Sequence, residues 1–173
     1  MKKNIVIFGT VAVMFVLLGV FAGYRQTAQD APQSSAVNNL LSQSMPDSNG
    51  KPQALAQWKG KALVVNFWAT WCNPCVEEMP ELSALQPELA PREIHILGIG
   101  IDSAQNIAEF SSKYKISYPL FVAGVSGTEL SRQFGNTGGG LPFTVLIGRD
   151  GKVKKTFLGR LKMKELKMEL DSL

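Results

Sequence analysis

The hydrophobic pattern of the chain alternates between short continuous apolar runs and segments with helical spacing. Ala62 to Phe67 (ALVVNF) and Ile94 to Ile101 (IHILGIGI) are apolar runs typical of strands buried on both faces. Between them, from Pro74 to about Leu89, apolar side chains recur at the spacing of one helix face. The pattern therefore predicts two parallel strands joined by a helical crossover.

The rest of the chain predicts an antiparallel addition to this unit. Arg149-Asp150-Gly151 is a strong turn signal between two strands. Together, parallel crossovers and a hairpin indicate an α/β fold with a central mixed β-sheet flanked by helices on both faces. The other predicted elements are a helix at Ala104–Tyr114, a strand at Tyr118–Val122, a helix at Thr128–Phe134, hairpin strands at Phe143–Ile147 and Val153–Leu158, and a final helix at Lys162–Leu170.

The N-terminus shows a different pattern. Ile5 to Gly23 is an apolar run of 19 residues with Thr10 as its only polar side chain, preceded by Lys2 and Lys3. A bilayer crossing takes roughly 17–25 residues, so we expect an N-terminal transmembrane helix that remains as an anchor. The Val-Phe-Ala sequence ending at Ala22 would still permit cleavage as a signal peptide.

The chain divides into an anchor at residues 1–23, a flexible tether of small and polar residues at 24–37, and one domain at 38–173. The two lysines keep the N-terminus in the cytoplasm, so we expect a single-pass protein of the bacterial inner membrane. Its catalytic domain would face the periplasm or the outer side of the membrane. Thiols in that oxidising space either form permanent disulfides or are kept cycling.

Charge narrows the range of partners. The net charge is +4, and half of it comes from the first thirty residues, which leaves too little to indicate a nucleic-acid partner. We expect a monomer. The locally basic stretch from Arg149 to Lys167 is interpreted as a solvated strand and helix face, with a docking patch for an acidic partner or lipid headgroups as the alternative.

Both cysteines of the chain lie in WATWCNPCVEEMP, residues 68–80, where a predicted strand ends and a helix begins. Unpaired backbone N–H groups of the first helical turn face Cys72 and favour its thiolate, so Cys72 is the predicted nucleophile. Cys75, one turn inside the helix, is the predicted resolving cysteine. Glu78 shares its face, and we expect it to accept a proton and set the pKa values of the pair.

The sequence gives less support to other functions for two closely spaced cysteines. A structural zinc site needs four ligands, whereas the chain has two cysteines and one histidine, His95, within a predicted strand. We expect no metal and no cofactor other than the redox-active disulfide. Two alternatives stay open: a metallochaperone that binds Cu(I) through the cysteines, and, less favoured, a thiol peroxidase. A peroxidase would place its cysteine in a T-x-x-C setting, whereas Trp71 precedes Cys72 here.

The segment VVNFWATWCNPCVEEMPEL resembles the active-site segment of the thioredoxin superfamily. More closely, it is similar to the membrane-anchored TlpA/ResA-like thiol–disulfide oxidoreductases, which border the CcmG-type cytochrome c maturation proteins. The resemblance covers about residues 43 to 170 and implies a thioredoxin fold, with Cys72 attacking, Cys75 resolving and Glu78 as the active-site glutamate. It also implies that Pro142, in GGGLPFTVLI, is a cis-proline facing the disulfide. A partner segment would pair with the backbone at Leu141, and we expect Trp71 to contact it too.

The implied activity is reduction of disulfides in exported proteins, with electrons from a membrane thiol carrier. Targets in cytochrome c maturation or in copper-site assembly fit this family. Two departures concern the site. Asn66 stands where many thioredoxins have a buried acid, which leaves proton transfer to Glu78. The loop Gly135 to Gly140 (GNTGGG) is longer and richer in glycine than usual; we interpret it as a mobile surface loop, with the shaping of a partner groove as the alternative.

Overall fold

The computed structural model describes residues 14, 17, 19–21 and 33–171, which fall into two units, residues 1–32 and 33–173. In the first unit the described residues are helical. The predicted anchor, Ile5 to Gly23, lies for the most part outside the described residues. Within the described part of the chain, no helix combines the length and the apolar character that a membrane crossing requires.

The second unit contains the predicted order of strands and helices. From β3 onwards, every predicted element lies within two residues of its observed bounds. In chain order the elements are α1 (residues 33–42), β1 (Ser44–Pro46), β2 (Pro52–Ala54), β3 (Ala62–Trp68), α2 (Asn73–Leu89), β4 (Ile94–Gly100), α3 (Ala104–Tyr114), β5 (Leu120–Val122), α4 (Ser126–Gln133), β6 (Phe143–Ile147), β7 (Val153–Leu158) and α5 (Met163–Leu170).

Within residues 33–171, five strands form the central sheet, in the order β5-β4-β3-β6-β7. Strand β3 pairs parallel with β4, and β4 pairs parallel with β5, whereas β6 is antiparallel to both β3 and β7. The predicted mixed sheet is therefore confirmed. Strands β1 and β2 form a separate antiparallel hairpin.

Strand β3 is covered on both faces, since all seven of its residues are buried. Alternate side chains enter different cores. One core lies under α1 and α4, and the other under α2, α3 and α5. Leu63, Val65 and Phe67 belong to the first core, whereas Val64 and Trp68 belong to the second. By this alternation Asn66 faces α2, so the strand carries one polar side chain into the core beneath that helix.

Helix α1 extends into the segment predicted as tether. Residues 33–37 are helical, and Ala36 and Val37 are buried together with Leu40 and Leu41 in the core beneath α1 and α4. These four apolar positions form one helical stripe, which the predicted boundary at residue 38 cut in two. The assignment of residues 33–37 to a flexible tether was therefore wrong. The apolar stripe was not recognised because its neighbours are small and polar.

Replacing Leu40 with Ala tests whether α1 is part of the core. Leu40 is fully buried, so its truncation leaves a cavity and should lower the free energy of unfolding by about 2–5 kcal/mol. Urea denaturation measures this. The matched control is Asn38→Ala on the exposed side of the same helix, which should change stability by no more than about 0.5 kcal/mol. Equal effects of the two substitutions would contradict the packing of α1.

Candidate active site

Cys72 and Cys75 form a disulfide at the start of α2, where the chain leaves the carboxyl end of β3. Cys72 is the N-cap residue, and its sulfur accepts a hydrogen bond from the backbone N–H of Cys75 at 3.3 Å. Pro74 lies in the first turn, where its missing N–H costs no helical hydrogen bond. The sulfur of Cys72 therefore occupies the positive end of the helix, as the sequence predicts.

The two cysteines differ in access. Cys72 is 6% exposed and Cys75 is fully buried. A partner protein that approaches the disulfide from solvent therefore meets Cys72 first. The division into an attacking Cys72 and a resolving Cys75 stays a prediction.

Glu78 lies one turn beyond Cys75 with its side chain fully buried. Two donors hold its carboxyl group. Asn66 Nδ2 donates to Oε1 at 2.7 Å, and the backbone N–H of Leu161 donates to Oε2 at 2.9 Å. Asn66 also donates to Thr144 Oγ1 at 3.0 Å, which fixes the amide between β3 and β6. The strand, the helix and the loop after β7 thus meet at this carboxyl group.

Burial raises the pKa of Glu78 from 4.5 to about 7, and the hydrogen bonds from Leu161 and Asn66 and the charge of Arg160 act in the opposite direction. A carboxyl group with this pKa can both take up and release a proton near neutral pH. Asn66, at the position where many thioredoxins carry an acid, serves as a donor to Glu78.

The loop between β7 and α5 reinforces this arrangement from the surface. Arg160 donates to Glu77 Oε2 at 2.6 Å and to Glu81 Oε1 at 2.7 Å, spanning one turn of α2. Both carboxylates are solvent-exposed, so the pairs are weakened by water. Sequence reasoning missed Arg160 and Leu161. Leu161 binds Glu78 through a backbone N–H, which no residue type signals, and it lies 83 positions away. Arg160 lies 83 and 79 positions from its two partners.

The Leu141–Pro142 peptide bond is cis, as the resemblance implies. Phe143 of β6 pairs with Phe67 of β3, so Pro142 lies beside the end of the strand that leads into the cysteine motif. Trp71 is 68% exposed, directly before Cys72. Leu141 is half-buried and packs against both cores. The two residues predicted to contact a partner thus differ: Trp71 offers its side chain, whereas the side chain of Leu141 is partly used in packing.

The glycine-rich loop before Pro142 is organised by a buried side chain that the sequence reading did not single out. Asn136 is 3% exposed, and its Nδ2 donates to the carbonyl of Gly140 at 2.9 Å and to Ser131 Oγ at 3.2 Å. The loop is therefore tied to α4. Asparagine in a glycine-rich loop often binds the local backbone, which is the signal that could have identified it.

The described residues add no ligands for the metal-binding alternatives. Among the residues that the structure describes, no group of three or more His, Cys, Asp or Glu side chains could hold a metal ion. His95 packs on Trp58 with ring centroids 5.0 Å apart, and burial lowers the pKa of its imidazole. It pairs with Leu63 near the start of β3, whereas the cysteines follow the end of that strand. His95 is therefore a packed histidine remote from the disulfide.

Comparison with known proteins agrees with this geometry. The family model described as Redoxin matches residues 26–170. A thiol-disulfide oxidoreductase ResA of Bacillus cereus is 30% identical over 169 residues, covering 96% of this chain and 95% of that protein. ResA of Geobacillus thermodenitrificans is 30% identical over 130 residues, covering 75% of this chain and 72% of that protein.

A solved structure supports the same conclusion for the fold. The thiol:disulfide interchange protein of the thioredoxin family from Chlorobium tepidum TLS superposes with a TM-score of 0.65 and 31% identity. The match covers 75% of this chain and 91% of that protein. The expected thioredoxin fold is confirmed.

Glu78→Gln should change how stability depends on pH. Because the folded-state pKa is raised, Glu78 stabilises the fold fully below pH 4.5, and this contribution is lost as pH rises through about 7. The shift corresponds to about 3 kcal/mol. Urea denaturation of wild type and variant between pH 4 and 8 measures it. The difference between the two proteins isolates Glu78, since His95 contributes equally to both.

The control for this prediction is Glu77→Gln, which changes an exposed carboxylate on the same helix. It should leave the pH dependence of the unfolding free energy between pH 4.5 and 7 as in the wild type. A wild-type pH profile that persists in Glu78→Gln would show that this carboxyl group does not have a raised pKa.

Proposed function

The chain belongs to the redoxin family and is a ResA-like thiol–disulfide oxidoreductase of the thioredoxin superfamily, and on this premise we propose that it reduces disulfides in exported proteins. The observation that carries the proposal is the Cys72–Cys75 disulfide at the start of α2 with the buried carboxyl group of Glu78 behind it.

The reaction starts from the dithiol. The Cys72 thiolate attacks one sulfur of the partner's disulfide, that S–S bond breaks, and the partner's other sulfur leaves as a thiolate. Cys75 then transfers its proton to Glu78 and attacks the sulfur of Cys72. The mixed disulfide breaks and the partner's second sulfur leaves. Two electrons pass to the partner, and the Cys72–Cys75 disulfide forms. The partner's two thiolates take up one proton from Glu78, which received it from Cys75, and one from solvent, to which Cys72 had released its own.

The direction of exchange follows from the charge near the sulfurs. Strong oxidants of this chemistry are strong because their reduced form is stabilised, with a thiol pKa as low as about 3.5. Here the N-terminus of α2 favours a thiolate on Cys72, whereas the ionised form of Glu78 opposes negative charge on the nearby pair. The opposition destabilises the reduced form and makes the dithiol a better electron donor.

Partner contact is assigned to the surface around Cys72. The exposed indole of Trp71 provides a large apolar contact directly beside the reactive sulfur. The backbone at Leu141 provides hydrogen-bonding groups to an extended partner segment, and Pro142 holds that backbone next to the disulfide. The loop from Gly135 to Gly140, which Asn136 connects to α4, borders this contact surface.

The place of the reaction is proposed from the N-terminal sequence. The apolar run from Ile5 to Gly23 and the two preceding lysines support a single-pass anchor with the catalytic domain outside the bacterial inner membrane. Substrates are then exported proteins with exposed disulfides, of the kind that cytochrome c maturation or copper-site assembly must reduce. A membrane thiol carrier supplies the electrons.

Trapping tests the roles of the two cysteines. Cys75→Ser removes only the resolving step, so the reduced variant should accumulate a mixed disulfide through Cys72 when mixed with oxidised insulin. Cys72→Ser should accumulate none and should reduce no insulin. Non-reducing electrophoresis and mass spectrometry identify the linkage.

Two results would contradict the assignment. A mixed disulfide that forms in Cys72→Ser and is absent from Cys75→Ser would reverse the roles of the cysteines. Tight stoichiometric Cu(I) binding by the reduced wild type, together with failure to reduce insulin, would favour the metallochaperone.

A further inference from the structure

Asp102, two residues after β4, accepts four hydrogen bonds from two directions. Its Oδ2 accepts from the backbone N–H of Thr70 at 3.2 Å and from the Thr70 hydroxyl. Its Oδ1 accepts from the backbone N–H of Ser103 and from Asn106 Nδ2, both at 2.7 Å. One side chain therefore joins the start of α3 to Thr70, which lies two residues before Cys72.

The carboxyl group of Asp102 stays ionised at neutral pH. Partial burial acts to raise its pKa, but the hydrogen bonds from Thr70, Asn106 and Ser103 outweigh burial and lower the pKa below 3.8. Hydrogen bonds to an ionised acceptor are about twice as strong as neutral ones. The contact between Asp102 and Thr70 is thus a strong local constraint.

The constraint acts on the turn that carries the nucleophile. The backbone N–H of Cys72 donates to the carbonyl of Ala69 at 3.2 Å, which closes a turn over residues 69–72. Trp71, within that turn, is 68% exposed and adds little packing to hold it. The ends of β3 and β4 beside this turn are held together, since the Ile101 N–H donates to the carbonyl of Trp68 at 2.8 Å. Asp102 therefore connects a rigid strand end, through the half-buried Thr70, to the turn that carries Cys72.

We propose that Asp102 is a positioning residue for the thiol–disulfide exchange of the proposed function. It acts through Thr70 and does not contact the sulfur. By fixing Thr70 it keeps Cys72 at the N-terminus of α2, where the backbone N–H groups favour the thiolate. Its removal lets the turn move, and the Cys72 thiolate loses part of that stabilisation.

The test measures the reactivity of Cys72 in the full chain in detergent, with Cys75→Ser in every protein so that one thiol remains. Asp102→Asn retains the size of the side chain but presents an amide in place of one acceptor oxygen. Thr70→Val removes only the hydroxyl. Each should lower the rate constant for alkylation by iodoacetamide at pH 7 by about 10-fold and raise the pKa of the Cys72 thiol.

Two further variants separate positioning from general stability. Thr70→Ser retains the hydroxyl and should react at the rate of the Cys75→Ser parent. Ser103→Ala loses the side-chain cap of α3, in which Ser103 Oγ accepts from Asn106 N–H at 3.2 Å, but leaves the Asp102–Thr70 contact intact. It should lower the melting temperature without changing the alkylation rate. The double variant Thr70→Val with Asp102→Asn should react no more slowly than Asp102→Asn alone.

Alkylation rates equal to that of the Cys75→Ser parent in Thr70→Val and Asp102→Asn would overturn the proposal, and so would an equal loss of rate in Ser103→Ala. Alkylation needs no partner protein, so its outcome is independent of whether the protein reduces insulin. Failure of the wild type to reduce insulin would contradict the proposed function alone.

Discussion

A carboxyl group in the interior of a protein is costly unless donors satisfy it, and Glu78 is placed where three elements of the fold supply or position those donors. Strand β3 contributes Asn66, α2 carries the glutamate itself, and the loop after β7 contributes the N–H of Leu161. The sheet order brings β6 beside β3, and Thr144 of β6 in turn accepts from Asn66. The central strand, the first crossover helix and the C-terminal loop are thereby joined directly behind the disulfide.

This arrangement gives the two sulfurs different surroundings. Cys72 lies at the end of a helix, where N–H groups and the helix dipole favour negative charge. Cys75 is fully buried, one turn from Glu78, where burial and the carboxylate oppose negative charge. A dithiol with one activated and one less reactive sulfur suits ordered exchange. One cysteine attacks the partner's disulfide, and the other then attacks the mixed disulfide. In its proposed positioning role, Asp102 adds a geometric constraint, because it holds the turn that presents Cys72.

Much of this could be predicted from the sequence because the signals are local. The apolar runs at β3 and β4 and the spacing of α2 define the crossover, and the three-residue step from Cys75 to Glu78 places both on one helix face. The cis bond before Pro142 required the family resemblance, since nothing local specifies it.

What the sequence did not provide depends on tertiary contacts. Thr70 meets Asp102 across 32 positions and Glu78 meets Leu161 across 83, and in the second pair the donor is a backbone group with no residue signature. Helix α1 shows a related failure. Its apolar stripe is regular, but it lies among small polar residues and was divided by an assumed domain boundary.

The reduction potential of the Cys72–Cys75 pair tests the central claim most directly, namely that Glu78 makes this dithiol an electron donor. Equilibration with dithiothreitol or glutathione buffers at pH 7 measures it in wild type and in Glu78→Gln. The account predicts a wild-type value near that of thioredoxin, about −270 mV, and a more positive value in the variant. A wild-type value near −120 mV, or a potential unchanged by Glu78→Gln, would contradict it.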